Sequence, residues 1–203
     1  MWRIALRLLF FLLIVKPFFL LMVGVNVRNR ERLPNQGPAL IVANHNSHLD
    51  ALVLVAMLPL PLLSRTRPAA SAEYFLKGGW RAWFATKVIG IIPVATGGGR
   101  PHAEVLGEVR DVLQVGDIVI FFPEGTRGEP ESLGKLKTGI AWLAQQLPAV
   151  PVYPVRLQGL GKVLPKGDWL PVPFFCDAWV AEPLRWEGDR QRFMAALTAS
   201  LGG

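Results

Sequence analysis

Residues 38 to 50 read PALIVANHNSHLD: an apolar run, Pro38 to Ala43, and then a polar cluster from Asn44 to Asp50 holding two histidines, two asparagines, a serine and an aspartate. The run has the length and β-branched content of a buried strand. From Asp50 to Leu58 the chain is apolar again at helical length, so strand, polar turn and helix are expected in succession. The same alternation recurs outward from this stretch. Strands are expected at Val88 to Val94 (VIGIIPV), Asp117 to Phe122 (DIVIFF), Val150 to Leu157 (VPVYPVRL) and Phe174 to Ala181 (FFCDAWVA). Helices are expected at Lys137 to Leu147, at Asp189 to Leu201, and from Pro101 to a stop at Gly116, where Val105, Leu106, Val109, Val112 and Leu113 keep helical spacing. Such alternation predicts an α/β fold, a single layered domain with a mostly parallel or mixed sheet flanked by helices. A length of 203 residues suits one such domain.

Composition excludes a disordered polyelectrolyte, with 51% hydrophobic and 18% charged residues. The net charge of +7 is concentrated: Arg3, Arg7, Lys16, Arg28, Arg30 and Arg32 against Glu31 put +5 of it before residue 33. Ile4 to Val25 is apolar except for Arg7 and Lys16, and Pro17 follows the latter. This predicts an N-terminal membrane-anchoring helix or helix pair within residues 1–32, ahead of the domain at 33–203. A spanning helix needs about 20 apolar residues, and a central Lys-Pro pair interrupts this one, so an interfacial or re-entrant anchor competes with a span. A core helix of the domain is the bland alternative. No small-x-small cleavage site follows before Arg32, so the segment is read as retained. Arg28, Arg30 and Arg32 favour a domain on the cytoplasmic face. Trp80, Trp83, Phe84 and Lys87 fall at i, i+3, i+4 and i+7, which suits either a head-group contact or a core stripe. Charge placed this way favours a lipid surface over nucleic acid. Cys176, the one cysteine, permits no intrachain disulfide and reads as a buried strand residue.

Two polar clusters follow strand-like runs, where α/β sheets gather ligands. In the first, His45 and Asp50 are five apart, about 140° around a continuous helix, so they meet only if the histidine sits in the turn and the aspartate in the first helical turn. That pair would be a base and its orienting carboxylate. Three other readings stand beside it: a metal site of His45, His48 and Asp50 with His102, a nucleophilic Ser47 without a G-x-S-x-G elbow, and helix capping by Asn46, Ser47 and Asp50. The second cluster, Phe122 to Arg127 (FPEGTR), offers Gly125 for close backbone approach and Arg127 as a fork for phosphate or carboxylate. Between them, Thr96 to Arg100 (TGGGR) is either an anion-binding nest or a surface loop.

Taken in order, these blocks resemble the PlsC-type glycerolipid acyltransferases, the family of the lysophosphatidic acid acyltransferases, over about residues 17–182. NHNSHLD resembles that family's N-H-x4-D block, which makes His45 the general base and Asp50 its partner. FPEGTR matches the block that helps to bind the acceptor's glycerol phosphate, implicating Glu124, Gly125, Thr126 and Arg127. VPVYPV resembles the proline-containing late block, and Lys137-Thr138-Gly139 a K-x-G that opens the following helix. Gly90 to Val94 fits the start of a G-x-I-P-V-x-R block, but three glycines intervene before Arg100. Either Arg100 reaches the phosphate from a longer loop or the acceptor head group differs. The resemblance implies a membrane-associated O-acyltransferase that moves a fatty acyl group from acyl-CoA or acyl-carrier protein to a lysophospholipid. The expected acceptor is 1-acyl-glycerol-3-phosphate, and Arg127, with Arg100 or Lys137, would hold its phosphate. No metal or other cofactor is expected. A different head group, a CoA-independent transacylase or lipase, and a non-enzymatic lipid-binding protein are the alternatives.

Overall fold

A computed structural model describes residues 2–75, 78–95, 100–125, 132–163 and 172–202. The chain opens with helix α1 (Trp2–Phe10), which runs through a widened turn, Phe11–Val15, into α2 (Lys16–Leu21). The widened turn bonds Lys16 N–H to Phe11 O, five residues back, and Pro17 follows at the start of α2. A helix interior normally rejects proline because it lacks an N–H and clashes with the preceding turn, and the looser turn relieves both problems. Strand β1 (Val25–Arg28), a short turn Arg30–Arg32, β2 (Ala39–Ala43), α3 (Asp50–Met57) and α4 (Leu60–Leu63) follow. Then come β3 (Thr66–Ser71), α5 (Ala72–Phe75), α6 (Gly79–Phe84) with a widened turn Ala85–Ile89, and β4 (Ile92–Val94). The chain continues with α7 (His102–Gln114), β5 (Ile118–Phe121), α8 (Gly139–Gln146), β6 (Val152–Gln158), α9 (Leu160–Val163), β7 (Cys176–Val180) and α10 (Arg190–Gly202).

Among the described residues, seven strands form one sheet in the order β1-β7-β6-β2-β5-β3-β4, and every neighbouring pair is parallel except β6 and β7. This is the mixed, helix-flanked sheet expected from the alternation of apolar runs. Period-2 alternation divides the buried side chains between two layers. Ile41, Ala43, Ile120 and Leu157 join α3 and the N-terminal helix on one face. Leu40, Val42, Val119 and Val152 join α7, α8 and α10 on the other.

The structure departs from the sequence reading in three places. The strand expected over Val88 to Val94 is only Ile92–Val94, because Val88 and Ile89 continue the helix and Gly90, at φ +78°, ends it. A Cβ on Gly90 would lie 2.4 Å from Arg7 Nη1, so the glycine also makes room for that guanidinium. Second, β3 (TRPAAS) has no apolar run to announce it; instead Arg65 and Arg67 hold Asp117, at 3.2 and 2.9 Å, at the entrance of β5. Third, residue 32 is not a seam. β1 pairs with β7 in register Val25 to Cys176, and Phe11, Val15, Phe19 and Val23 lie inside the core. Arg28, Arg30 and Arg32, counted above as lipid-facing charge, have protein partners: Arg28 lies 3.7 Å from Asp177, Arg30 donates to Met57 O, and Arg32 meets Glu182 at 2.8 Å.

Candidate active site

β2 delivers the polar cluster to the carboxyl end of the sheet centre, between β6 and β5. The chain leaves the strand at Ala43 and re-enters regular structure at Asp50, the first residue of α3. The intervening reversal brings His45 Nδ1 to 2.8 Å from Asp50 Oδ2. Asn46 and Ser47 donate their backbone N–H groups to the same oxygen, at 2.6 and 2.7 Å. Asp50 is completely buried, and its Oδ1 has no hydrogen-bond partner among the described residues. One carboxylate therefore closes the turn and holds the ring together. With Nδ1–H directed at Asp50, the lone pair of the imidazole is on Nε2, and 22% of the side chain stays exposed.

The second cluster packs onto the first. The Phe122 ring stacks on His45, centroids 4.3 Å apart and planes 22° from parallel. Glu124 is buried, and its two oxygens accept from the backbone N–H groups of His45, at 2.9 Å, and Gly134, at 3.2 Å. Its carboxylate thus braces the main chain that carries the histidine, a different task from the substrate contact expected of it. Asn44 exchanges two hydrogen bonds with the backbone of Leu157 on β6, at 2.7 and 2.8 Å, and Asn46 donates to Leu157 O at 2.9 Å. Sequence reasoning missed these braces because a partner 113 residues away leaves no local signal. The clue available was two amides flanking a histidine just past a strand.

The other rival roles in this cluster are placed apart. Ser47 is buried and its Oγ accepts from Leu49 N–H at 3.3 Å, which is turn chemistry. His48 is exposed, and His102 begins α7, where its ring stacks on Trp142 at 6.3 Å. Among the phosphate candidates, Gly125 takes φ +74°, and a Cβ there would lie 2.5 Å from Lys137 Nζ. Lys137 also donates its backbone N–H to Pro123 O at 2.8 Å, so the lysine is brought to the second cluster. Arg100 is exposed and lies 3.9 Å from Glu104, one turn along α7. Thr126 and Arg127 lie outside the described residues, as do Thr96 to Gly99.

The sequence model of the family named Acyltransferase matches residues 24–158, from the start of the sheet to the end of β6. The chain belongs to the acyltransferase family. Among curated relatives of this acyltransferase-family chain, the chloroplastic 1-acyl-sn-glycerol-3-phosphate acyltransferase LPAT1 of Arabidopsis thaliana is 31% identical over 156 residues, 76% of this chain and 40% of that protein. The alpha 1-acyl-sn-glycerol-3-phosphate acyltransferase of Mus musculus is 30% identical across 94% of this chain and 65% of its own length. The chain thus spans between two fifths and two thirds of these relatives. The crystal structure of the 1-acyl-sn-glycerophosphate acyltransferase PlsC from Thermotoga maritima shares the fold, with a TM-score of 0.72 at 22% identity over 96% of this chain and 78% of the other.

Proposed function

We propose that this protein transfers a fatty acyl group from a thioester, acyl-CoA or acyl-carrier protein, to the free hydroxyl of 1-acyl-glycerol-3-phosphate, giving phosphatidate. The observation that carries the reading is the 2.8 Å contact between His45 Nδ1 and Asp50 at the carboxyl end of β2. It orients Nε2 as a base without supplying a nucleophile of its own. The names of the relatives above supply the acceptor class.

In the proposed reaction, the acceptor hydroxyl attacks the thioester carbonyl while His45 Nε2 takes its proton. The tetrahedral intermediate collapses with cleavage of the C–S bond, and the imidazolium returns the proton to the departing sulfur. Ester and free thiol are the products, and Asp50 stabilises the positive ring throughout. The thioester is already activated, so positioning and one base account for the step with neither a metal nor an acyl-enzyme. Lys137, beside Gly125, and Arg127, in the same block, would hold the acceptor phosphate, with Arg100, two residues before α7, as a third cation.

The protein would work at a membrane surface through its N-terminal helix, with the sheet domain on the cytoplasmic side. Ile4–Leu21 is long and apolar enough to cross a bilayer. One face of the helix is nevertheless inside the protein, where Arg7 donates to Thr66 O. Burial, with Arg67 nearby, pushes the Arg7 pKa down to about 10, which leaves it charged at neutral pH. Leu13, Leu20 and Leu21 project outward, 68 to 82% exposed. A helix with one face on its own domain and apolar side chains on the other fits a position in the interface plane.

The test is release of free thiol, followed with a thiol reagent, on adding acyl-CoA or acyl-carrier protein and lysophosphatidate. Donor-dependent release that disappears in His45→Ala is expected. Normal transfer by that variant, or transfer without any thioester donor, would overturn the proposal, the latter in favour of a transacylase.

A further inference from the structure

Helix α6 carries the aromatic residues of the 80–87 stripe, and the structure divides that stripe. Ala85 and Val88 are buried, whereas Trp80 is 72% and Trp83 45% exposed. Both tryptophans therefore face away from the core, which the sequence pattern left open. They do not stand alone. Trp83 stacks with Trp2 of α1, centroids 6.5 Å apart and planes 16° from parallel, and Phe84 meets Phe10 edge to face at 5.1 Å. Trp2 is itself 59% exposed, so α6 and the first turn of the N-terminal helix form one continuous aromatic surface. Arg81 lies over the Trp80 ring at 5.8 Å, and Arg81 on α6 and Lys87 on the widened turn that continues it are both exposed.

Resting on the membrane association proposed above, we infer that Trp80 and Trp83 form a second contact with the bilayer, so that the domain sits on its N-terminal helix and on α6 rather than hanging from a single anchor. The surface fits a bilayer containing anionic lipid. Indole rings bury an apolar body at the head-group boundary while keeping the N–H wet, and adjacent cations attract anionic head groups. Trp2, which stacks on Trp83, belongs to the same N-terminal helix as the outward Leu13, Leu20 and Leu21, and this links the two contacts. A soluble partner protein would need acidic groups around an apolar centre, and is tested as the alternative.

The experiment is co-sedimentation of the full chain with vesicles of phosphatidylcholine alone and of phosphatidylcholine with phosphatidylglycerol. The Trp80→Ser/Trp83→Ser variant is expected to partition at least about tenfold more weakly, since two exposed rings lose their apolar burial. Arg81→Gln/Lys87→Gln should weaken binding only to the anionic vesicles. A Trp80→Phe/Trp83→Phe variant guards against misfolding: it should bind, and should lose a share of the emission that brominated-chain lipids quench in the parent. Equal partition of parent and serine variant, with unchanged quenching in the phenylalanine variant, would overturn the second contact and leave the face to a protein partner. A parent that ignores both vesicle types would overturn the membrane reading itself, and the two failures are therefore distinct.

Discussion

At the residue scale the candidate site is a single carboxylate oxygen receiving three donors, His45 Nδ1 and two backbone N–H groups. Asp50→Asn can turn its amide oxygen to those donors but cannot balance an imidazolium. It should lower kcat by about 10²- to 10⁴-fold with little change in acceptor KM, as steady-state kinetics would show. Glu124 separates a bracing role from substrate binding. Glu124→Gln keeps an acceptor for His45 N–H and should leave the acceptor KM near its parent value. Glu124→Ala strands two backbone donors and should cost about 1–3 kcal/mol of stability together with kcat. Arg127→Ala should instead raise acceptor KM at nearly constant kcat. If Glu124→Gln raises KM as Arg127→Ala does, the carboxylate touches substrate and the brace is secondary. The sequence made His45, Asp50 and the FPEGTR block legible because polar residues beside apolar runs are locally conspicuous. It could not assign Glu124 to His45, since both partners of that bond are only brought together by adjacent β2 and β5.

At the element scale one buried cation, beside the apolar contacts, ties the N-terminal helix to β3, and one glycine admits it. Arg7 reaches Thr66 O, and Gly90 leaves the space its guanidinium occupies. Gly90→Ala combines a positive φ with a collision against Arg7 and should destabilise the fold by about 1–3 kcal/mol. Gly107→Ala, in the middle of α7 with nothing within 4 Å of the added methyl, should stabilise it by about 0.4–1 kcal/mol. Thermal melts of the two variants should therefore move in opposite directions. α3, α7, α8 and α10 were legible, α7 from its apolar stripe and α3 from an apolar run of helical length. Periodicity failed between residues 85 and 94, where helix, glycine and strand follow one another through a single apolar run.

At the scale of the whole molecule the apolar N-terminus serves two environments. Phe11, Val15, Phe19 and Val23 fill the core, while Leu13, Leu20 and Leu21 face outward. Burying the three of these that precede residue 22, Phe11, Val15 and Phe19, is worth about 4.5–9 kcal/mol at about 1.5–3 kcal/mol each, comparable with the full stability of an ordinary domain at about 5–15 kcal/mol. Deleting residues 2–21 should therefore yield an unfolded or aggregated protein, judged by loss of a cooperative melt, and not a soluble catalytic domain. A cooperative melt within a few degrees of the parent would show the helix to be dispensable. Composition and pattern alone determined the α/β class, the two polar clusters and an apolar N-terminus, because each is written in residues adjacent along the chain. Tertiary structure alone decided which residues brace His45, that β1 and β3 are strands, that Arg28 to Arg32 answer protein groups, and which tryptophans face outward. The physical reason is common to all four: burial and hydrogen bonding act between neighbours in space, and those neighbours are tens to more than a hundred residues apart in sequence.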